Sequence, residues 1–128
     1  MGSLRNLGSV LAVSFLVCGL VSQAATKQTV VEWDIPSGPN MGYAPATAAV
    51  GDSIVLSWDG VHNVVLLPGP FNALGDCSKA KSAAPLPVTQ ANGKSASTVT
   101  FSQPGTYAVV CAVDGHCMLG QYQKYTVS

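Results

Sequence analysis

Apolar residues in this chain fall in short runs separated by Pro, Gly, Asn and Asp. From residue 28 onward the runs are QTVVEW (28–33), SIVLSW (53–58), HNVVLL (62–67), ASTVTF (96–101), TYAVVCAV (106–113) and YQKYTV (122–127). All are short and rich in β-branched or aromatic residues, which suit a pleated, half-buried surface. Two of them alternate clearly. Ile54, Leu56 and Trp58 share a face opposite Val55 and Ser57, and Tyr107, Val109 and Cys111 share a face opposite Ala108 and Val110. No helical periodicity competes with this pattern in the same region. It predicts an all-β domain of about six or seven short strands packed as a two-sheet antiparallel sandwich. The long irregular stretch SKAKSAAPLPVTQANGKS (78–95) predicts a short helix around Cys77 to Ala84, followed by a loop.

The first two dozen residues follow a different rule. Arg5 is the only charge before Lys27, and LGSVLAVSFLVCGLV (7–21) is apolar or small, followed by SQAA with Ser22 and Ala24 as small residues. This is the pattern of a secretory signal peptide, 1–24, cleaved after Ala24. A spanning helix needs about 20 apolar residues, more than this run supplies. Residues 25–128 then form one domain, expected to be secreted to an extracellular space, which in a plant is the apoplast. The chain ends on a strand-like KYTVS with no apolar tail, so no membrane anchor is expected.

Charge narrows the function classes. Six Lys/Arg balance six Asp/Glu, and no basic run could neutralise a row of phosphates, so nucleic acid is not an expected partner. No Ser/His/Asp order or paired-carboxylate motif stands out, and Asp59 and Asp114 sit in turn-like settings, so an enzyme is not expected.

Cysteine and histidine carry the chemistry. Cys18 leaves with the leader, so Cys77, Cys111 and Cys117 remain, an odd number for an oxidising compartment. The stretch CAVDGHCMLGQ (111–121) gathers two sulfurs, an imidazole and an amide, and the only other histidine is His62. Two imidazoles, one thiolate and a weak axial ligand make the donor set of a blue-copper electron-transfer site. His62, Cys111, His116 and Gln121 supply those types, and Cys77 and Cys117 are left as an even pair able to form a disulfide. Met118, a soft thioether, is the rival axial donor.

The segments VGDSIVLSW, HNV, CSKAK and PGTYAVVCAVDGHCMLGQ resemble the phytocyanins, the plant-type extracellular cupredoxins, and specifically the stellacyanin-like branch with an axial glutamine. The resemblance covers most of residues 25–128 and is sharpest over 104–121. It implies a cupredoxin-like Greek-key β-sandwich and one type 1 copper per chain. His62, Cys111 and His116 match the equatorial ligands, Gln121 the axial ligand, and Cys77 and Cys117 the family disulfide. Asn63 matches a position whose backbone N–H bonds the ligand sulfur.

The function expected is single-electron transfer by Cu(II)/Cu(I) cycling. The redox partner is unknown, either a protein or a small-molecule reductant; with so few charges it would meet an apolar patch around a histidine edge. The protein is expected to act as a monomer. Two other readings stay open at this level. One is a zinc site built from Cys111, His62, His116 and a further cysteine. The other is a metal-free extracellular interaction module on the same fold.

Overall fold

The computed structural model describes residues 25–37 and 42–128; the expected leader, 1–24, lies outside them. Eight strands and one helix follow in order: β1 (Gln28–Glu32), β2 (Ala46–Ala48), β3 (Ser53–Trp58), β4 (Val65–Pro68), α1 (Ala73–Ser82), β5 (Thr89–Ala91), β6 (Lys94–Thr100), β7 (Gly105–Val110) and β8 (Tyr122–Val127). They make two four-stranded sheets, ordered β1-β3-β6-β5 and β2-β8-β7-β4. This is the β-sandwich that the sequence predicts. Among the described residues, no helix is long and apolar enough to cross a membrane.

The expectation of purely antiparallel sheets is corrected. β1 runs parallel to β3, with Gln28 beside Ser53, and β2 runs parallel to β8, with Ala46 beside Tyr125. The cause is the path of the chain. β1 edges one sheet, the chain then crosses to edge the other with β2, and it returns to the first as β3. Alternating apolar residues reveal which face is buried but say nothing of strand direction. The two-residue turn at Asn92 and Gly93, both with positive φ, makes β5 and β6 a tight hairpin.

Burial explains which runs the pattern revealed. Ile54, Leu56 and Trp58 point into the space between the sheets, where Trp33, Val64, Val99, Phe101, Val109, Tyr125 and Val127 join them. β7 is buried on both faces. Val109 and Cys111 belong to this inner core, while Ala108 and Val110 join Val65, Phe71, Cys77, Ala80 and Cys117 in a second cluster. That second cluster is the apolar cover that α1 lays over the outer face of the β4–β7–β8 sheet.

The helix begins earlier and ends earlier than the predicted Cys77 to Ala84. Asn72 caps its start by accepting from the Leu74 N–H at 3.1 Å, while Asp76 reaches back to accept from the Asn72 N–H at 2.7 Å. Lys79 pairs with Asp76 one turn on, at 2.9 Å.

Asp52 ties the sandwich edge together. Its two carboxylate oxygens accept from the backbone N–H groups of Lys27 and Ala49, each at 2.9 Å, and so join the start of β1 to the end of β2. These N–H groups hold its pKa below the ordinary 3.8. A lowered carboxylate pKa gives stability that is present above the unfolded value and lost as pH falls through the folded one. Asp52→Asn is therefore expected to lower the thermal midpoint at pH 7, with the gap to wild type closing as the pH drops below about 4. Paired melting curves across that range measure it; a gap unchanged at low pH contradicts the assignment.

Candidate metal centre

The β7–β8 hairpin builds most of the site. Its ladder ends at Val110 opposite Tyr122, and one step further the Cys111 N–H donates to the Gln121 carbonyl at 3.0 Å. Residues opposite one another on paired strands project to the same face. Cys111 and Gln121 thus share the inner face, and both are fully buried. The sequence places Cys111 inside a strand running to Val113; the strand stops at Val110, and Cys111 opens the loop instead.

Between these two residues the loop folds tightly on itself. The His116 N–H bonds the Val113 carbonyl and the Gln121 N–H bonds the His116 carbonyl, each at 3.0 Å. Gly115 and Gly120 take positive φ, 81° and 100°, which L side chains rarely adopt, on either side of the imidazole. The turn returns His116 over Cys111. Met118 points outward and is exposed, whereas Gln121 points in, which separates the two rival axial donors.

His62 arrives from the other side. The sequence places it at the opening of a strand, but β4 begins only at Val65, and His62 lies in the loop before it. Its Nδ1 is 3.1 Å from the Nδ1 of His116 and 4.0 Å from the Cys111 sulfur, and the His116 Nδ1 is 3.5 Å from the same sulfur. The donor atoms of His62, Cys111 and His116 all lie within 4.8 Å of one another. Cys77 and Cys117 form a disulfide that closes a 40-residue separation and bolts α1 to the loop beside His116. In the chain-entropy account, such a closure gives about 4 kcal/mol.

Asn63 is a larger part of the site than the sequence showed. Its backbone N–H bonds the Cys111 sulfur. Its side-chain Oδ1 accepts from the Ala112 N–H at 2.7 Å, and its carbonyl accepts from the Trp33 indole at 2.9 Å. One residue therefore links the His62 loop, the Cys111 loop and the inner core. Nothing in the residue pattern distinguishes this asparagine from a turn residue except its position directly after a histidine.

Electrostatics favour the neutral forms of Cys111 and His62 in the absence of a cation. Burial raises the Cys111 thiol above its usual range, against the pull of the Asn63 and Val113 N–H groups. Burial also lowers His62, the neighbouring His116 adds to the shift, and Asp34 and the Gln121 amide pull partly the other way. Among the described residues the Gln121 amide nonetheless meets full hydrogen-bond geometry with no group, so both its nitrogen and its oxygen are buried without a partner there. Such an orphan is costly, about 1–3 kcal/mol, unless something else satisfies it. A cation held by the two imidazoles and a thiolate would satisfy the amide oxygen, and the donor set fits a soft, borderline metal.

Among solved structures, the chain is similar to cucumber stellacyanin in its Cu2+ form, with a TM-score of 0.54 over 78% of this chain and 96% of that one, at 21% identity. It is also similar to auracyanin A, a "blue" copper protein of Chloroflexus aurantiacus, with a TM-score of 0.50 over 79% of this chain and 99% of that one, at 18% identity. The chain has the cupredoxin fold. This is the fold that the resemblance in sequence implies. No protein-family model matches the sequence, and no curated relative does.

The cupredoxin scaffold holds its two loops together through the Asn63 side chain. Asn63→Ala leaves the partly buried Ala112 N–H without an acceptor and is expected to cost about 1–3 kcal/mol. Asn63→Asp keeps the acceptor and is expected to lose less. Chemical denaturation of the disulfide-intact, metal-free protein measures both; equal losses, or none, contradict the role given to Oδ1.

Proposed function

We propose that the protein is a secreted, phytocyanin-type electron carrier with one type 1 copper per chain. The observation that carries this reading is the buried Cys111 thiol, with the His62 and His116 nitrogens around it and the partnerless Gln121 amide on the same face. When bound, copper supplies one-electron exchange between Cu(II) and Cu(I). His62, Cys111 and His116 would hold it and Gln121 would approach as a weak fourth donor, the ligand types of a blue-copper centre.

The chain's own groups prepare the site. Burial favours the neutral form of the His62 imidazole, and the Asn63 and Val113 N–H groups stand ready to stabilise the thiolate once its proton leaves. The disulfide and the paired neck of the loop restrain His116, which favours small movement on electron transfer. The zinc alternative loses its fourth ligand, because both remaining cysteines of the described residues are tied to each other. Secretion is supported by the leader pattern and by the disulfide, which suits an oxidising compartment. Exposed Met118 and Leu119 beside His116, with Val61 beside His62, put apolar side chains near the site for a redox partner to meet.

Titration of the purified protein with Cu(II) is expected to give an intense visible thiolate-to-copper band that saturates at one copper per chain, with a narrow-coupling EPR signal. Both are expected to vanish in Cys111→Ser. A protein that stays colourless, or a band that survives the substitution, overturns the reading.

The fourth donor is tested separately. An amide oxygen favours Cu(II) more than a thioether does, so Gln121→Met is expected to raise the reduction potential. A tenfold change in the relative binding of the two oxidation states corresponds to about 59 mV for one electron. A potential that stays the same or falls shows that Gln121 does not reach the metal.

A further inference from the structure

One charged side chain outside the donor set reaches a proposed ligand. The carboxylate of Asp34 stands 3.5 Å from the Nε2 of His62, on the side of the ring away from Cys111 and His116. The His62 side chain is only 9% exposed, whereas that of Asp34 is 81% exposed, so the carboxylate stands outside the site as a cap over the ring's outer nitrogen.

The cap is held in place by its own loop. The same Oδ1 accepts from the Ile35 N–H at 2.8 Å. The Tyr43 hydroxyl accepts from the Asp34 N–H at 2.8 Å, and its one proton is shared between the carbonyls of Glu32 and Asp34, at 2.8 and 2.9 Å. Tyr43 in turn stacks on Trp33, with ring centroids 5.3 Å apart, and the Trp33 indole bonds the Asn63 carbonyl. Trp33 and Asp34 together grip His62 and Asn63, one through the backbone of the site and the other through the imidazole.

We propose that Asp34 is a positioning residue for His62: it takes the Nε2 proton in a hydrogen bond, fixes the ring, and leaves the bare Nδ1 facing Cys111 and His116. The inference rests on the copper reading above for its effect on potential, but its geometry stands apart from it. An imidazole whose far N–H is held by a carboxylate is both oriented and made a stronger donor. The stronger donor, with a nearby negative charge, favours Cu(II) over Cu(I). The 3.1 Å approach of the two Nδ1 atoms is consistent with this tautomer, since a bare His62 Nδ1 can accept from a protonated His116 Nδ1.

The experiment compares wild type, Asp34→Ala and Asp34→Asn. In proton–nitrogen spectra of the 15N-labelled metal-free protein, wild type is expected to show a His62 Nε2–H signal protected from exchange with water. Asp34→Ala is expected to lose it, and Asp34→Asn, which keeps an oxygen acceptor, to retain it. In the copper-loaded protein, Asp34→Ala is expected to weaken Cu(II) binding about tenfold or more. If Cu(I) binding is unaffected, a tenfold loss raises the potential by about 59 mV. Asp34→Asn is expected to fall between.

A His62 proton signal absent from wild type, or equally protected in Asp34→Ala, overturns the proposal, as does a potential indifferent to the substitution. Should wild type take up no copper, the electron-transfer reading fails while the metal-free spectra still decide the Asp34–His62 contact. Should Asp34→Ala fail to fold, the wild-type spectrum and the folded Asp34→Asn variant still test it.

Discussion

The site depends on a single backbone hydrogen bond, from the Cys111 N–H to the Gln121 carbonyl, made one step beyond the last rung of the β7–β8 ladder. Because paired residues share a face, that bond commits the thiol and the amide to the same side of the sheet. The core is already closed there by Val64, Val109 and Trp33. Everything between the two residues must then fit in a loop whose ends are fixed. Two glycines with positive φ and several short-range N–H to carbonyl bonds give that loop one compact path, with His116 at its centre.

Two independent supports carry the loops against each other. From below, Asn63 spans the gap between the His62 segment and the Cys111 segment, with Trp33 beneath it. From the outer face, α1 packs its Cys77 and Ala80 against β7 and the disulfide ties it to Cys117. The inner and outer clusters meet at β7, whose alternate residues serve one and then the other. A strand buried on both faces, next to a loop crosslinked on both sides, makes a rigid frame for groups that must hold their spacing.

The sequence made much of this legible, and for identifiable reasons. Strand β3 alternates cleanly because one face meets the core and the other does not, so its limits were readable to the residue. Cys111, His116 and Gln121 were readable as a set because they lie within one short stretch. His62 could be joined to them because it is the only other histidine. Strand direction was not readable, since a period of two is blind to it, and β2 and β5 were missed because three-residue edge strands carry too few positions to show a pattern. The start of α1 was set by Asn72 and Asp76, a capping pair outside the irregular stretch. Nor could the pattern reveal that Asp34, near the beginning of the domain, comes beside His62; that contact depends on how the first crossover is folded by Tyr43.

The disulfide has a consequence for how the protein must mature. Before oxidation the described residues hold three thiols, Cys77, Cys111 and Cys117, and a soft cation could be captured by the wrong pair. Cys111 is buried, with its thiol held protonated, which makes it a slow partner in thiol–disulfide exchange. Cys77 and Cys117 are brought together by α1 packing on the sheet. Folding therefore sorts the sulfurs by reactivity: oxidation consumes the two on the outer face and spares the one inside. Among the described residues a single thiol, Cys111, is then left to meet a cation.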